Sequence, residues 1–269
     1  MSTTVVGRQP SMSPTQPTPV PKPAAMEPKE HGAYAILGIP IASSLLIAGA
    51  SVPGVCIAIA AVAGFLAHEP LLIVCGLRGL RAKRTTPAAT KRLLLLLLVT
   101  LAGGTTALIL GSPAVRWSLL ACALLATTSF AMAIAGRHRT LGGQLWGIVG
   151  LSVTCLPILL AGGLAVSVSL EIWTAWMIGF AATTLAVRSV IAAQKRKSRS
   201  IHWAGISALS LVLAALTVSP YSLAIVTLPM LVMSWYLLFA PPSAKHLKRV
   251  GWSLVVCTVT TAVWMIAVS

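Results

Sequence analysis

From residue 33 to the end of the chain, apolar runs of about 20 residues alternate with short polar or basic connections. A helical residue rises about 1.5 Å and the hydrocarbon core of a bilayer is about 30 Å thick, so a run of that length spans a membrane as one helix. Nine windows can be cut, near 33–51, 53–77, 93–111, 114–135, 141–164, 166–190, 202–218, 221–240 and 251–268. Ser51-Val52-Pro53, Gly111-Ser112-Pro113, Gly162-Gly163 and Ser219-Pro220 separate runs that hydropathy alone would fuse. The expected fold is all-α, a polytopic transmembrane bundle of about nine spans over residues 29–269. Residues 1–28 hold seven prolines with Ser, Thr and Gln and no apolar run, and predict a disordered tail.

Charge tests the count independently. The chain carries 20 Lys and Arg against 4 acids, a formal charge of +16. On a soluble protein such an excess would suggest nucleic acid, but with 57% apolar residues the charge sits in clusters between spans, and no nucleic-acid partner is expected. Lys and Arg are retained in cytoplasmic loops. With the N-terminus in the cytoplasm every basic residue except Arg116 falls on the inner side, and the C-terminus falls outside. Removing or adding a central span scrambles that partition. The expected location is the plasma membrane, with anionic lipid head groups as neighbours of the basic loops.

An acid inside a span is expensive, about 2.5–3.5 kcal/mol or more at its centre, and usually faces a cavity or a partner. Glu69 in His68-Glu69-Pro70 is the clearest case. Pro70 deletes a backbone donor and is expected to kink or open the helix beside the acid, so Glu69 and His68 are the candidate catalytic pair. The plain alternative is a Glu paired with an Arg from a neighbouring helix purely to fix packing. Glu30-His31 stands at the entrance of the first span, where capping alone would explain a Glu but not the His-Gly that follows. Arg188 lies near the inner end of the sixth span, and Lys195 and Arg199 follow at seven and eleven residues, one face of a continuing helix able to hold phosphate oxygens. Arg78 and Arg81 pose the same choice after the second span, between ligand binding and ordinary retention charge. Gln144 is polar at the start of the fifth span.

The five cysteines lie singly in apolar stretches without ligand spacing and read as buried thiols. All five histidines fall on the inner half, yet no pair has the i, i+4 spacing of a helical metal site, so no metal is assigned and the cofactor stays open. Glu171, Trp173 and Trp176 fit an outer interface belt, and Trp252 an inner one.

Four segments carry a resemblance: Pro28-Lys29-Glu30-His31-Gly32-Ala33-Tyr34, Phe65-Leu66-Ala67-His68-Glu69-Pro70-Leu71, Val187-Arg188-Ser189 and Leu247-Lys248-Arg249-Val250-Gly251-Trp252. They resemble the YwiC-like family of bacterial integral membrane proteins over nearly everything after the tail. That resemblance implies a membrane protein and adds weight to Glu30, His31, His68, Glu69 and Arg188 without assigning a reaction. A Glu is expected in that family near the start of the fifth span, where this chain has Gln144. The span count and inside N-terminus are also similar to the UbiA-type prenyltransferases, so a UbiA-like arrangement is the architectural expectation. Those enzymes carry Asp-rich motifs near the ends of the second and sixth spans, whereas this chain contains no Asp and cannot build that carboxylate cage for Mg²⁺ and diphosphate.

Three functions compete. The first is a cytoplasm-facing intramembrane cavity for an amphiphile with an anionic head, an isoprenoid or lipid phosphate, in a divergent transferase or a binding protein. The second is a small proton-coupled transporter using Glu69, and the third an assembly factor for a respiratory or haem enzyme using the histidines. Topology can be tested first. Alkaline phosphatase fused after Ser269 is expected to be active and the same enzyme inserted in the 195–199 loop inactive; the opposite pattern reverses the orientation.

Overall fold

The structure is a computed structural model that describes residues 26–27, 31–137, 140–218 and 222–269, apart from the side chains of His31 and Ala244. Glu30, most of the tail, His138, Arg139 and the Ser219-Pro220 turn therefore lie outside the described residues. Eleven α-helices follow in order: α1 (His31–Ala48), α2 (Val52–Val74), α3 (Leu80–Thr85), α4 (Ala88–Leu110), α5 (Pro113–Ile134), α6 (Leu141–Ser152), α7 (Cys155–Ala161), α8 (Val166–Gln194), α9 (Ser200–Val218), α10 (Leu228–Phe239) and α11 (Leu247–Val268). Among the described residues there is no strand.

Eight stretches are long and apolar enough to cross a membrane, with α6 and α7 counting as one and α10 counting together with the 3-10 turn Ser222–Thr227 that precedes it. The apolar part of α1, Gly32–Ala48, is shorter. Each of the nine sequence windows thus has its helical element, and this is a multi-pass membrane protein.

The turn signals became caps. Ser51 accepts a hydrogen bond from the Gly54 amide at 3.2 Å, Ser112 from Val115 at 3.5 Å and Thr140 from Gly143 at 3.1 Å, satisfying amides that each helix start leaves orphaned. Arg116, the one cation expected outside, donates from Nε to the Leu108 carbonyl at 2.9 Å and from Nη2 to Ile109 at 3.4 Å. It caps the negative end of α4, a structural reason for a cation on that side. Pro157 breaks the fifth span into α6 and α7, because it has no N–H for the Val153 carbonyl. The Leu156 amide serves that carbonyl at 3.0 Å instead, and the Cys122 thiol lies 3.9 Å from it.

Successive spans run antiparallel. Glu171 at the start of α8 accepts from the Leu223 amide at 2.7 Å, while at the other end of α8 Gln194 donates to the Pro242 carbonyl at 3.2 Å. We call the end where α1 begins basal and the opposite end distal. α8 is the central helix, buried over most of its length, with Trp176 fully enclosed and stacked on Phe180 at 5.4 Å. The interface-belt expectation therefore fails for Trp176, which belongs to the core, and Glu171 caps the 3-10 turn rather than anchoring a surface. Trp252 is exposed at the basal end, as expected of a belt residue.

Two expectations about the thiols and the proline also change. Cys75 is exposed at the C-cap of α2, and of the five free cysteines Cys155 alone is fully buried. α2 runs unbroken through Pro70 to Val74, so there is no unwound turn beside Glu69. The remaining helical bonds and the packing of α2 outweigh the single donor that Pro70 removes.

α2 and α4 form the closest pair in the bundle. A Cβ placed on Gly103 would lie 2.7 Å from the Cys56 carbonyl oxygen and 3.2 Å from the Ala60 Cβ, and Thr100 Oγ1 comes within 3.4 Å of the Ala60 carbonyl oxygen. Small residues let the backbones approach, as membrane helix pairs require in the absence of a hydrophobic drive. Gly103→Ala is expected to cost about 1–3 kcal/mol through overpacking. Gly104→Ala, whose added methyl meets nothing within 4 Å, should melt like the parent. Equal melting temperatures for the two variants in detergent would remove this account.

Candidate functional site

Because α5 packs little against the rest of the bundle, a cavity of about 1760 Å³ opens between it and α1, α2, α4, α6, α8 and α11. Its walls are largely apolar and often small, with Ala60, Gly64, Ala67, Gly104, Ala123, Ala126 and Gly147 leaving the space. Its polar groups gather basally. His68, Glu69 and Arg78 come from the end of α2 and the turn after it, Gln144 from the start of α6, Arg188 from the last turns of α8, and Lys248 and Trp252 from the start of α11.

Glu69 is buried and its partner comes from its own chain segment. α2 ends in a Schellman motif, with Gly76 at φ +76°, its amide on Ile73 at 3.0 Å and the Leu77 amide on Leu72 at 2.9 Å. That reversal turns the chain back, so that Arg78 Nε donates to Glu69 Oε2 at 3.0 Å and Nη2 donates to Oε1. The pair is a bidentate fork, the strongest arrangement open to Arg and a carboxylate. His68 faces the cavity with its ring edge-on to Phe130 of α5 at 6.2 Å.

Across the mouth, Arg188 Nη1 donates to Gln144 Oε1 at 2.8 Å, joining two residues 44 apart. Gln144 orients the guanidinium plane without adding a negative charge, as a Glu there would. Lys248 and Trp252 add a cation and an aromatic ring to the same rim. Neither was a site candidate from sequence, although both lie in the Leu247–Trp252 segment that the resemblance singled out.

The basic face expected of Arg188, Lys195 and Arg199 does not exist. α8 ends at Gln194, Lys195 is its exposed C-cap, and Arg196 turns the chain at φ +52°. Arg199 then points between helices, donating to Ser189 Oγ at 2.8 Å and to the Leu238 carbonyl. It ties α8 and α10 to the start of α9 and does not line the cavity. Arg81 is exposed on α3 and is not part of the wall either. His31 opens α1, whose next residues Gly32 and Ala33 reach the cavity, and Glu30 lies outside the described residues. Among the described residues no three His, Cys, Asp or Glu side chains come together as a metal site would require.

Residues 28–158 match the family model described as YwiC-like protein. Over that stretch the chain is similar to the YwiC-like family. The matched region is just under half of the 269 residues and holds α1 through the first turn of α7, with His68, Glu69, Arg78 and Gln144. It is shorter than the resemblance expected from sequence, since the segments around Arg188 and Lys248 fall outside it. No curated protein and no solved structure matches the chain, and the likeness to UbiA-type enzymes is not shown.

The ion pair makes a testable demand. Arg78→Ala leaves a buried carboxylate without its fork and should lower stability by about 1–3 kcal/mol, the range for an orphaned buried polar group, because Arg78 itself is over a third exposed. Replacing both residues by Leu should recover most of that loss in a detergent thermal melt, and failure to recover would mean that the pair does more than satisfy itself.

Proposed function

We propose that the protein binds an amphiphile with an anionic head in this cavity, from the cytoplasmic side of the plasma membrane. The observation that carries the reading is the meeting of Arg188, Gln144, Lys248 and the Glu69–Arg78 pair at one end of a cavity whose remaining walls are largely apolar, broken by hydroxyl side chains. Arg188, held in plane by Gln144, binds the head group by charge-assisted hydrogen bonds, and Lys248 adds a less directional charge. Glu69 positions Arg78 at the rim. His68, facing the cavity beside Glu69, is the imidazole of this set that can exchange a proton with a bound head group. The basal end is the cytoplasmic one because the basic residues of the connections concentrate there, which also brings anionic lipid head groups to the same face.

The cavity wall counts against proton-coupled transport. Thr100, Thr127, Ser129, Thr183 and Thr258 line it, but each donates its hydroxyl proton to a carbonyl of its own helix, at 2.7–3.1 Å. A file of water or ions would lose those donors.

Native mass spectrometry of the purified protein tests the reading. A co-purifying anionic lipid is expected, depleted about tenfold or more in Arg188→Ala, the loss expected when a charge-assisted contact of 1.5–3 kcal/mol is removed. Gln144→Glu should deplete it too, by setting a negative charge beside the guanidinium. Lipid retained equally by all three proteins, or proton-driven uptake abolished by Glu69→Gln with no bound lipid, would replace this function with another.

A further inference from the structure

We infer that the cavity selects, among phosphate-ended lipids, those whose chain is longer than the acyl chains of the surrounding membrane. The inference rests on the head-binding reading above and adds a second determinant, tail length, which comes from the depth of the cavity rather than from its rim.

Along α2 the lining runs from Leu72 at the basal end to Ile57. Fifteen helical steps at 1.5 Å make about 22 Å. Along α5 it runs from Ala133 to Leu119, fourteen steps or about 21 Å. One leaflet contributes only about 15 Å of hydrocarbon, half of the core thickness. A chain anchored by its head at the basal rim and no longer than one leaflet therefore stops short of Ile57, Leu108 and Leu119, which form the distal floor. The volume agrees, since about 1760 Å³ exceeds the 300–1,000 Å³ that serves a drug-sized ligand.

Length is a physical selector here because the usual drive is absent. A tail that moves from lipid into an apolar cavity leaves one hydrocarbon environment for another and gains little from desolvation. What distinguishes one tail from another is the dispersion contact made with the wall, and a short tail makes none with the distal third. Thr100, Thr127 and Thr258 on the wall are engaged with carbonyls of their own helices, so a second polar group along the tail would find few donors. Among the described residues of the rim, Arg78, Arg188 and Lys248 stand with one carboxylate, Glu69, an excess of positive charge suited to a phosphate monoester of about −1.5 to −2.

The test uses the full-length protein in detergent and a ladder of isoprenyl monophosphates from farnesyl to undecaprenyl. Binding is read by the fluorescence of Trp146 and Trp252, both on the cavity wall. Affinity should rise by about tenfold or more, ~1.4 kcal/mol of added packing, and level off once the tail spans the wall. Gly104→Phe places a ring in the distal half, where an added side chain meets no neighbour, and should abolish the gain for long tails while leaving farnesyl phosphate unchanged. Ala123→Phe on α5, ten helical steps or about 15 Å from Ala133, should act alike if the first variant does not fold. Equal affinity along the ladder, or tighter binding of two-chain phosphatidic acid, overturns the length selection and leaves the head site standing. Absence of binding by every phosphate probe overturns both.

Discussion

Lipid offers the backbone no hydrogen-bond partner, and the rest of this structure depends on that constraint. Each apolar run must close its own hydrogen bonds as a helix, and each helix end must be capped or brought to the interface. Ser51, Ser112 and Thr140 cap three starts, and Arg116 caps the end of α4. Where Pro157 removes an amide, the chain breaks into two helices and the freed Val153 carbonyl finds the Leu156 amide. At Pro70 the same loss is tolerated without a break. The bundle is a set of local solutions to one requirement.

With the backbone satisfied, packing between helices is free to be uneven. Gly103 brings α4 against α2, and Gly179 admits Met230 of α10 so closely that a Cβ there would sit 2.6 Å from its sulfur. α5 makes one such approach, to Gly150 of α6, where a Cβ would lie 3.1 Å from Ser129 Oγ, but little of α5 is buried. The gap beside it becomes the cavity, and the small residues around it keep it wide. Tight packing and open space thus come from the same kind of residue, distinguished by what stands opposite.

The polar rim follows from helix ends rather than helix faces. α2, α6, α8 and α11 each bring one terminal turn to the same end, and their polar residues meet there. Glu69 and Arg78 meet because Gly76 takes a left-handed conformation and reverses the chain, which a linear count of residues after Pro70 misses. Arg188 stayed in the site because it lies inside α8. Lys195 and Arg199 left it because Arg196 turned the chain and destroyed the helical register that linked them. Lys248 and Trp252 were hidden among ordinary interfacial residues, and only the docking of α11 against the cavity gave them a place in it.

The sequence by itself determined the solvent, the helical class and the alternation of the nine elements, because hydropathy over about 20 residues and the placement of Lys and Arg are one-dimensional signals. It also picked out Glu69, His68 and Arg188, since a charge at membrane depth is costly enough to stand out without any fold. The tertiary structure alone decided which of those charges meet, that Trp176 is core rather than belt, and that α5 stands off to leave a cavity. Those outcomes depend on the direction of each side chain around its helix and on how closely two backbones approach, and neither quantity is carried by hydropathy or charge along a line.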